Sequence, residues 1–189
     1  MTLVAGVILV QLVSRGQPET GTAGETKIKI KNEVNSNSTR IGNLSANVPD
    51  TWTGIRPSSS MRLMEFRLGV AADDATLAIF KNIGGTIDNN LERWSGQFGY
   101  SLSDSEVNIR AENINGMQVS IISILGTYTN TMAFSDATQP KPNYRLLGAI
   151  ADTPDGLYYF KLTGPNTVIT GRLEEFTLFI QSLRYDKIG

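Results

Sequence analysis

In the run SEVNIRAENINGMQVSIISILGTYTN, Ser105 to Asn130, the dipeptide Asn115-Gly116 separates two segments rich in β-branched residues. Asn-Gly is the preferred two-residue hairpin turn, because both central positions need positive φ. Val107 and Ile109 precede it and Val119 and Ile121 follow it at strand spacing. The stretch predicts a long β-hairpin, and the sheet that contains it is expected to be mainly antiparallel.

Downstream, YRLLGAIA and LYYFKLTG flank the turn residues DTPDG (152–156) and predict a second hairpin. Between the two hairpins, residues 130–143 (NTMAFSDATQPKPN) read as a long loop with two prolines, a length that marks a functional or mobile segment. Upstream, NLSANVPDTWTGI reads as a strand, a Pro49-Asp50 turn and a return of Trp52 to the core. MRLMEFRL (61–68) alternates, with Met64, Phe66 and Leu68 on one face and Leu63, Glu65 and Arg67 on the other. ATLAIFKN (75–82) is a further strand after a turn at 71–74.

Two segments have helical period. Ile87, Leu91, Trp94 and Phe98 form one stripe, with Thr86 as N-cap and Asp88 in the first turn. Ile169, Leu173, Phe176, Ile180 and Leu183 form another, in one long closing helix with Pro165 in its first turn. Gly171 inside that helix costs about 1 kcal/mol relative to alanine, which implies close packing there. The economical arrangement is an α+β fold, a mainly antiparallel sheet covered by two amphipathic helices.

The domain is expected to span residues 44–189. Residues 17–43 read as a flexible polar linker, unable to bury enough apolar surface to offset chain entropy. Residues 1–16 contain the apolar run Leu3–Val13. It resembles the core of a secretory signal or an uncleaved anchor, and is too short to span a bilayer comfortably. Against a signal stand the lack of a preceding Lys or Arg and the Arg15 that follows. The other reading is a strand or buried helix of the domain.

Composition excludes several chemistries. The chain has no cysteine and no histidine. No disulfide, thiol nucleophile, Cys-based metal site or Ser-His-Asp triad is possible. Seventeen Lys and Arg balance 18 Asp and Glu with no basic stripe, which argues against nucleic acid as a partner.

The element order and the pieces VPDTW (48–52), ERWSGQF (92–98), NGMQV (115–119), YRLLGAI (144–150) and FKLTGP (160–165) resemble the Mog1/PsbP-like superfamily over about Leu44 to Tyr185. The likeness extends to its small exported bacterial members without assigned activity. It implies an α/β/α sandwich used for binding and assembly rather than catalysis. Some members of that superfamily assist a photosynthetic complex and others bind a small GTPase. No residue set of this chain matches either interface.

The candidate chemistry is sparse. Ser58, Ser59 and Ser60 stand beside Arg62, and a serine nucleophile without histidine needs a lysine, of which Lys161 is the candidate. No S-x-x-K spacing is present, and the simpler reading is a Pro-Ser turn. Asp73-Asp74 and Glu174-Glu175 lack the ligand series of a calcium loop, so no metal or cofactor is expected. Arg62 and Arg145, early in their strands, and Lys161, late in its own, are candidates for an anion-binding rim with Tyr128 and Tyr144. The alternative is separate snorkelling side chains.

The expected function is a non-enzymatic, envelope-associated binding or accessory domain, extracytoplasmic and contacting another protein or complex at the membrane surface. The rival readings are a small anionic-ligand binding protein and a Ser/Lys hydrolase.

Overall fold

Both predicted hairpins form, and they make up one side of a seven-stranded sheet. The computed structural model describes residues 37–69, 75–129 and 139–186. The apolar run 1–16, linker residues 17–36, Asp73-Asp74 and residues 130–138 of the long loop lie outside the described residues. In chain order the elements are β1 (Asn37–Ile41), β2 (Leu44–Val48), β3 (Trp52–Ile55), β4 (Arg62–Leu68), β5 (Ala75–Lys81) and α1 (Ile87–Gly96). There follow β6 (Val107–Ile114), β7 (Met117–Tyr128), β8 (Lys141–Thr153), β9 (Gly156–Pro165), α2 (Asn166–Thr170), α3 (Leu173–Gln181) and β10 (Arg184–Tyr185).

The large sheet has the order β3-β4-β5-β9-β8-β7-β6, and every pair in it is antiparallel. Asn115 and Gly116 take φ of 49° and 87°, the positive values that the β6–β7 turn requires. A small antiparallel sheet, β1-β2-β10, accompanies it.

Alternation along the strands divides the core in two. On one face Leu77, Ile79, Val119, Ile121, Leu147 and Phe160 pack with Ile169, Phe176, Phe179 and Ile180 of α2 and α3, and with Ile41, Leu44 and Val48 of the small sheet. On the other, Ile122, Ile124, Leu146, Ile150 and Tyr159 pack with Leu91, Trp94 and Phe98 at α1. The molecule is therefore an α+β sandwich with helices on both faces of the sheet.

The α1 prediction holds in detail. Thr86 caps it in a reciprocal capping box with Asn89. Trp94 lies so close to the sheet that a Cβ on Gly148 would stand 2.4 Å from its ring.

Three expectations are corrected. The polar run before residue 44 is not linker to its end, because β1 pairs with β2 through five register positions from Asn37 to Ile41. The closing helix is broken: α2 stops at Thr170, Gly171 caps it with φ −70°, and α3 starts at Leu173. Gly171 marks that break and not a close approach, since the nearest atom to an added Cβ is 3.6 Å away. Pro165 is the N-cap residue of α2 and the last residue of β9, outside the first turn. Third, β8 begins at Lys141, inside the run read as loop.

Candidate functional site

The serine turn proves to be scaffold for an arginine. Ser59 O accepts from Arg62 N at 3.1 Å, and Ser59 Oγ accepts from Met61 N at 3.1 Å. The Ser58 N–H donates to Glu65 Oε2 at 2.7 Å, and the Arg62 guanidinium donates to Glu65 Oε1 at 2.5 Å. Burial pushes the Glu65 carboxyl up, yet the Ser58 amide and the Arg62 guanidinium outweigh it and hold the group below its usual value. Glu65 is thus a buried, ionised brace between the turn and Arg62.

A bulge decides where Arg62 goes. Met64 pairs with Ile79 but Arg62 pairs with Phe80, so Leu63 is the extra residue. By simple alternation Arg62 would lie with Met64, Phe66 and Leu68, on the α2/α3 face. The bulge moves it to the α1 face, where its guanidinium stands 5.8 Å from the Phe80 ring centroid.

Lys161 reaches the same place from β9. Its neighbours across the two ladders are Ala78 and Gly148, both small, and the Trp94 ring fills the space over Gly148. The α1 helix ends at Gly96, and its C-cap residue Gln97 is buried. Lys161 Nζ donates to Gln97 Oε1 at 2.5 Å and lies 5.6 Å from the Tyr128 ring centroid. Burial, then repulsion from Arg93 and Arg62, pulls the Lys161 ammonium down to about 7. Among the described residues no carboxylate pairs with it.

Tyr128 and Tyr144 form the remaining wall. Their rings stack at 6.0 Å with 13° between planes, Phe98 packs on Tyr128 at 5.4 Å, and Lys141 Nζ lies 5.4 Å from the Tyr144 centroid. Burial raises the Tyr128 phenol, while Arg62 opposes that shift. These groups line a cleft of about 290 Å³ with Glu65, Thr76, Ala78, Phe80, Gln97 and Thr163.

Four of the five predicted rim residues, Arg62, Tyr128, Tyr144 and Lys161, therefore meet in one cleft. Arg145 does not. It pairs in register with Leu125 and Gly164, and donates to Asn166 Oδ1 of α2 at 2.8 Å and Ser123 Oγ at 3.1 Å. It lies on the α2/α3 face because it is one residue out of phase with Tyr144.

Sequence reasoning missed Lys141 and Gln97. The signal for Lys141 lay in its position at the start of a strand whose next inward residue is Tyr144. Gln97 had a weaker one, as a polar residue at the end of an apolar helical stripe. Glu175, one of the acidic pair, accepts from the Trp52 indole at 2.8 Å, Thr51 Oγ1 at 2.9 Å and Arg172 at 2.8 Å, and so fixes β3 to α3.

The cleft brings together cations and hydroxyls without a hydroxyl–lysine pair: Lys161 bonds to an amide oxygen, and none of the three serines touches it. What these groups do chemically is attract and hold negative charge. No helix of the described residues is long and apolar enough to cross a membrane.

No protein-family model and no curated protein matches the chain. Among solved structures it is similar to cyanobacterial PsbP (CyanoP) from Synechocystis sp. PCC 6803, with 14% identity, 88% of this chain and 98% of that chain covered, and a TM-score of 0.50. It is also similar to a Pseudomonas aeruginosa protein of unknown function, with 11% identity, 81% and 99% covered, and a TM-score of 0.45. At this identity the likeness concerns architecture: the chain has the Mog1/PsbP-like fold that its element order implied.

Proposed function

We propose that this chain is a non-enzymatic accessory domain of the cell envelope, which works by contacting another protein or complex at the membrane surface through the α1-side cleft. The observation that carries the reading is the cleft's uncompensated positive charge. Arg62, Lys141 and Lys161 face it; among the described residues Glu65 is the one carboxylate of its lining and is already paired with Arg62, so the charges of Lys141 and Lys161 are unmatched there. Such a site attracts a negatively charged group and orients it by hydrogen bonds.

Two further features support docking of a macromolecule. Met61 and Leu63, which flank Arg62 in the chain, are 64% and 42% exposed, so apolar surface is presented at the same strand end as Arg62. The apolar run Leu3–Val13 supplies a means of attachment to the membrane. The resemblance to the Mog1/PsbP-like superfamily implies a sandwich used for binding and assembly, which agrees with this reading.

The test is retention of a partner on envelope membranes by the full chain. Wild-type protein is expected to cross-link to one complex, to be released by salt, and to lose that complex when Arg62→Ala and Lys161→Met are combined. Equal retention by the wild type and the double variant would remove the reading.

A further inference from the structure

We propose that the α1-side cleft is a binding site for a single oxyanion group, of the carboxylate or phosphate class, held between Arg62, Lys141 and Lys161. The inference rests on the reading above and names the chemistry that the cleft recognises. Its basis is a charge imbalance in a shaped, partly closed place.

The key group is Lys161. An ammonium removed from water is normally paired, because an isolated buried charge is costly. Here its partners are an amide oxygen and the face of a tyrosine. Neither carries a full negative charge. The nearest carboxylate of the lining, Glu65, has both oxygens occupied, one by the Ser58 amide and one by Arg62. Among the described residues, then, no carboxylate supplies its counter-charge.

The geometry also leaves room for a ligand to supply it. Ala78 flanks Lys161 on one neighbouring strand, Trp94 covers Gly148 on the other, and α1 ends just beyond Trp94 at Gly96. That leaves a cleft of about 290 Å³ open beside the ammonium. Apart from the bonded Glu65, its other polar groups are donors or can act as donors, among them the Arg62 guanidinium, the Lys141 ammonium and the hydroxyls of Thr76 and Thr163. Such a set suits an acceptor-only group, which an oxyanion is. The tyrosine faces hold lysine ammoniums in place and so leave the charged end of the cleft to the anion.

The experiment is calorimetric titration of the full chain with sodium phosphate, sodium acetate and, as a cationic control, choline chloride. The first two separate the phosphate from the carboxylate source. Saturable binding of phosphate or acetate, and none of choline, is expected. Lys161→Met and Arg62→Ala each remove a charge-assisted hydrogen bond and are expected to weaken binding by roughly 10- to 100-fold. Arg145→Ala, on the opposite face, is expected to leave it unchanged. Melting curves establish that each variant is folded. If Lys161→Met does not fold, Gln97→Glu replaces it: an internal carboxylate beside Lys161 is expected to compete with the anion and to abolish binding. No saturable binding by folded wild-type protein, or equal binding by all folded variants, overturns the proposal. Failure here with charge-dependent retention on membranes intact leaves the accessory reading standing. Anion binding without any retained partner removes the accessory reading alone.

Discussion

Lys161 of β9 and Gln97 at the end of α1 are joined by a 2.5 Å hydrogen bond in which a neutral amide stands where an ion pair would ordinarily be built. The choice of glutamine matters because one atom separates it from glutamate. Gln97→Glu places a carboxylate against the ammonium and completes the pair inside the protein. Lys161 is then expected to titrate well above its present value of about 7, and the protein is expected to stop binding small anions. Lysine-detected NMR titration of both proteins checks the first effect, and calorimetry the second. An unchanged lysine titration in the variant would show that the bond does not control the site.

The anion affinity of the wild type should depend on pH through the same group. Lys161 faces Arg62 and Glu65 of β4, Tyr128 of β7, Lys141 and Tyr144 of β8, and Arg93 repels it from α1. Glu65 is held low and Tyr128 high, so neither changes charge between about pH 6 and 9. Below about pH 7 Lys161 is charged in the free protein; above it, an anion must bring a proton with it. Affinity is therefore expected to be flat at low pH and to fall toward tenfold per pH unit above about 7. Titration in buffers of different ionisation enthalpy is expected to show proton uptake approaching one per anion at pH 8.

Folding stability carries the opposite trend for the same residue. The unfolded lysine keeps its proton to about pH 10, while the folded one gives it up near 7. In that window the unfolded state binds more protons, so stability rises with pH. Lys161→Met removes the slope and is expected to raise stability at neutral pH by about 1–3 kcal/mol, read from denaturant unfolding at pH 6 and pH 9. A variant less stable than the wild type at both pH values would argue that the ammonium is already well compensated.

Packing on the same face sets a second limit. Trp94 sits on Gly148, and an added Cβ there would meet its ring at 2.4 Å and Ile122 Cγ2 at 2.8 Å. The Trp94 ring cannot yield without moving α1, whose C-cap residue is Gln97. Gly148→Ala is expected to cost about 1–3 kcal/mol. Calorimetric unfolding tests this, and the change is also expected to loosen the Lys161–Gln97 bond.

Much of this arrangement was legible because local signals agreed. Asn115-Gly116 announced its hairpin, and the Thr86 cap with Leu91, Trp94 and Phe98 announced α1. The face that Arg62 takes was not legible because a bulge is a non-local event: nothing in RLMEF says that Leu63 goes unpaired until β5 sets the register. Arg145 was misplaced for want of phase, since neighbouring strand residues share a strand end but not a face. The break at Gly171 was missed because the apolar stripe runs through it. A polar β1 is invisible to hydrophobic periodicity, because its stability comes from pairing with β2 more than from its own side chains.

The β8–β9 turn supplies the last prediction, through Asp155. Its carboxylate accepts from Thr153 Oγ1 at 2.7 Å, Lys81 Nζ at 2.7 Å, Asn43 Nδ2 at 2.6 Å and Tyr158 Oη at 3.3 Å. The Tyr158 hydroxyl in turn accepts from Asn43 N at 3.0 Å. Gly42, at φ 62°, lets the β1–β2 turn approach that ring, since a Cβ there would lie 2.8 Å from the hydroxyl. The turn is thereby pinned to the large sheet. Burial raises Asp155, but its bonds from Lys81, Thr153 and Asn43 prevail and lower it to about 2. A depressed carboxyl contributes stability above its ordinary value and loses it as pH falls toward 2. Asp155→Asn is expected to cost about 1–2 kcal/mol at neutral pH, the low end for charged bonds because solvent screens the site. The variant is expected to lose part of the acid slope between about pH 4 and 2, so the two unfolding curves converge at low pH. Parallel curves across that range would mean that Asp155 holds the turn by shape and not by charge.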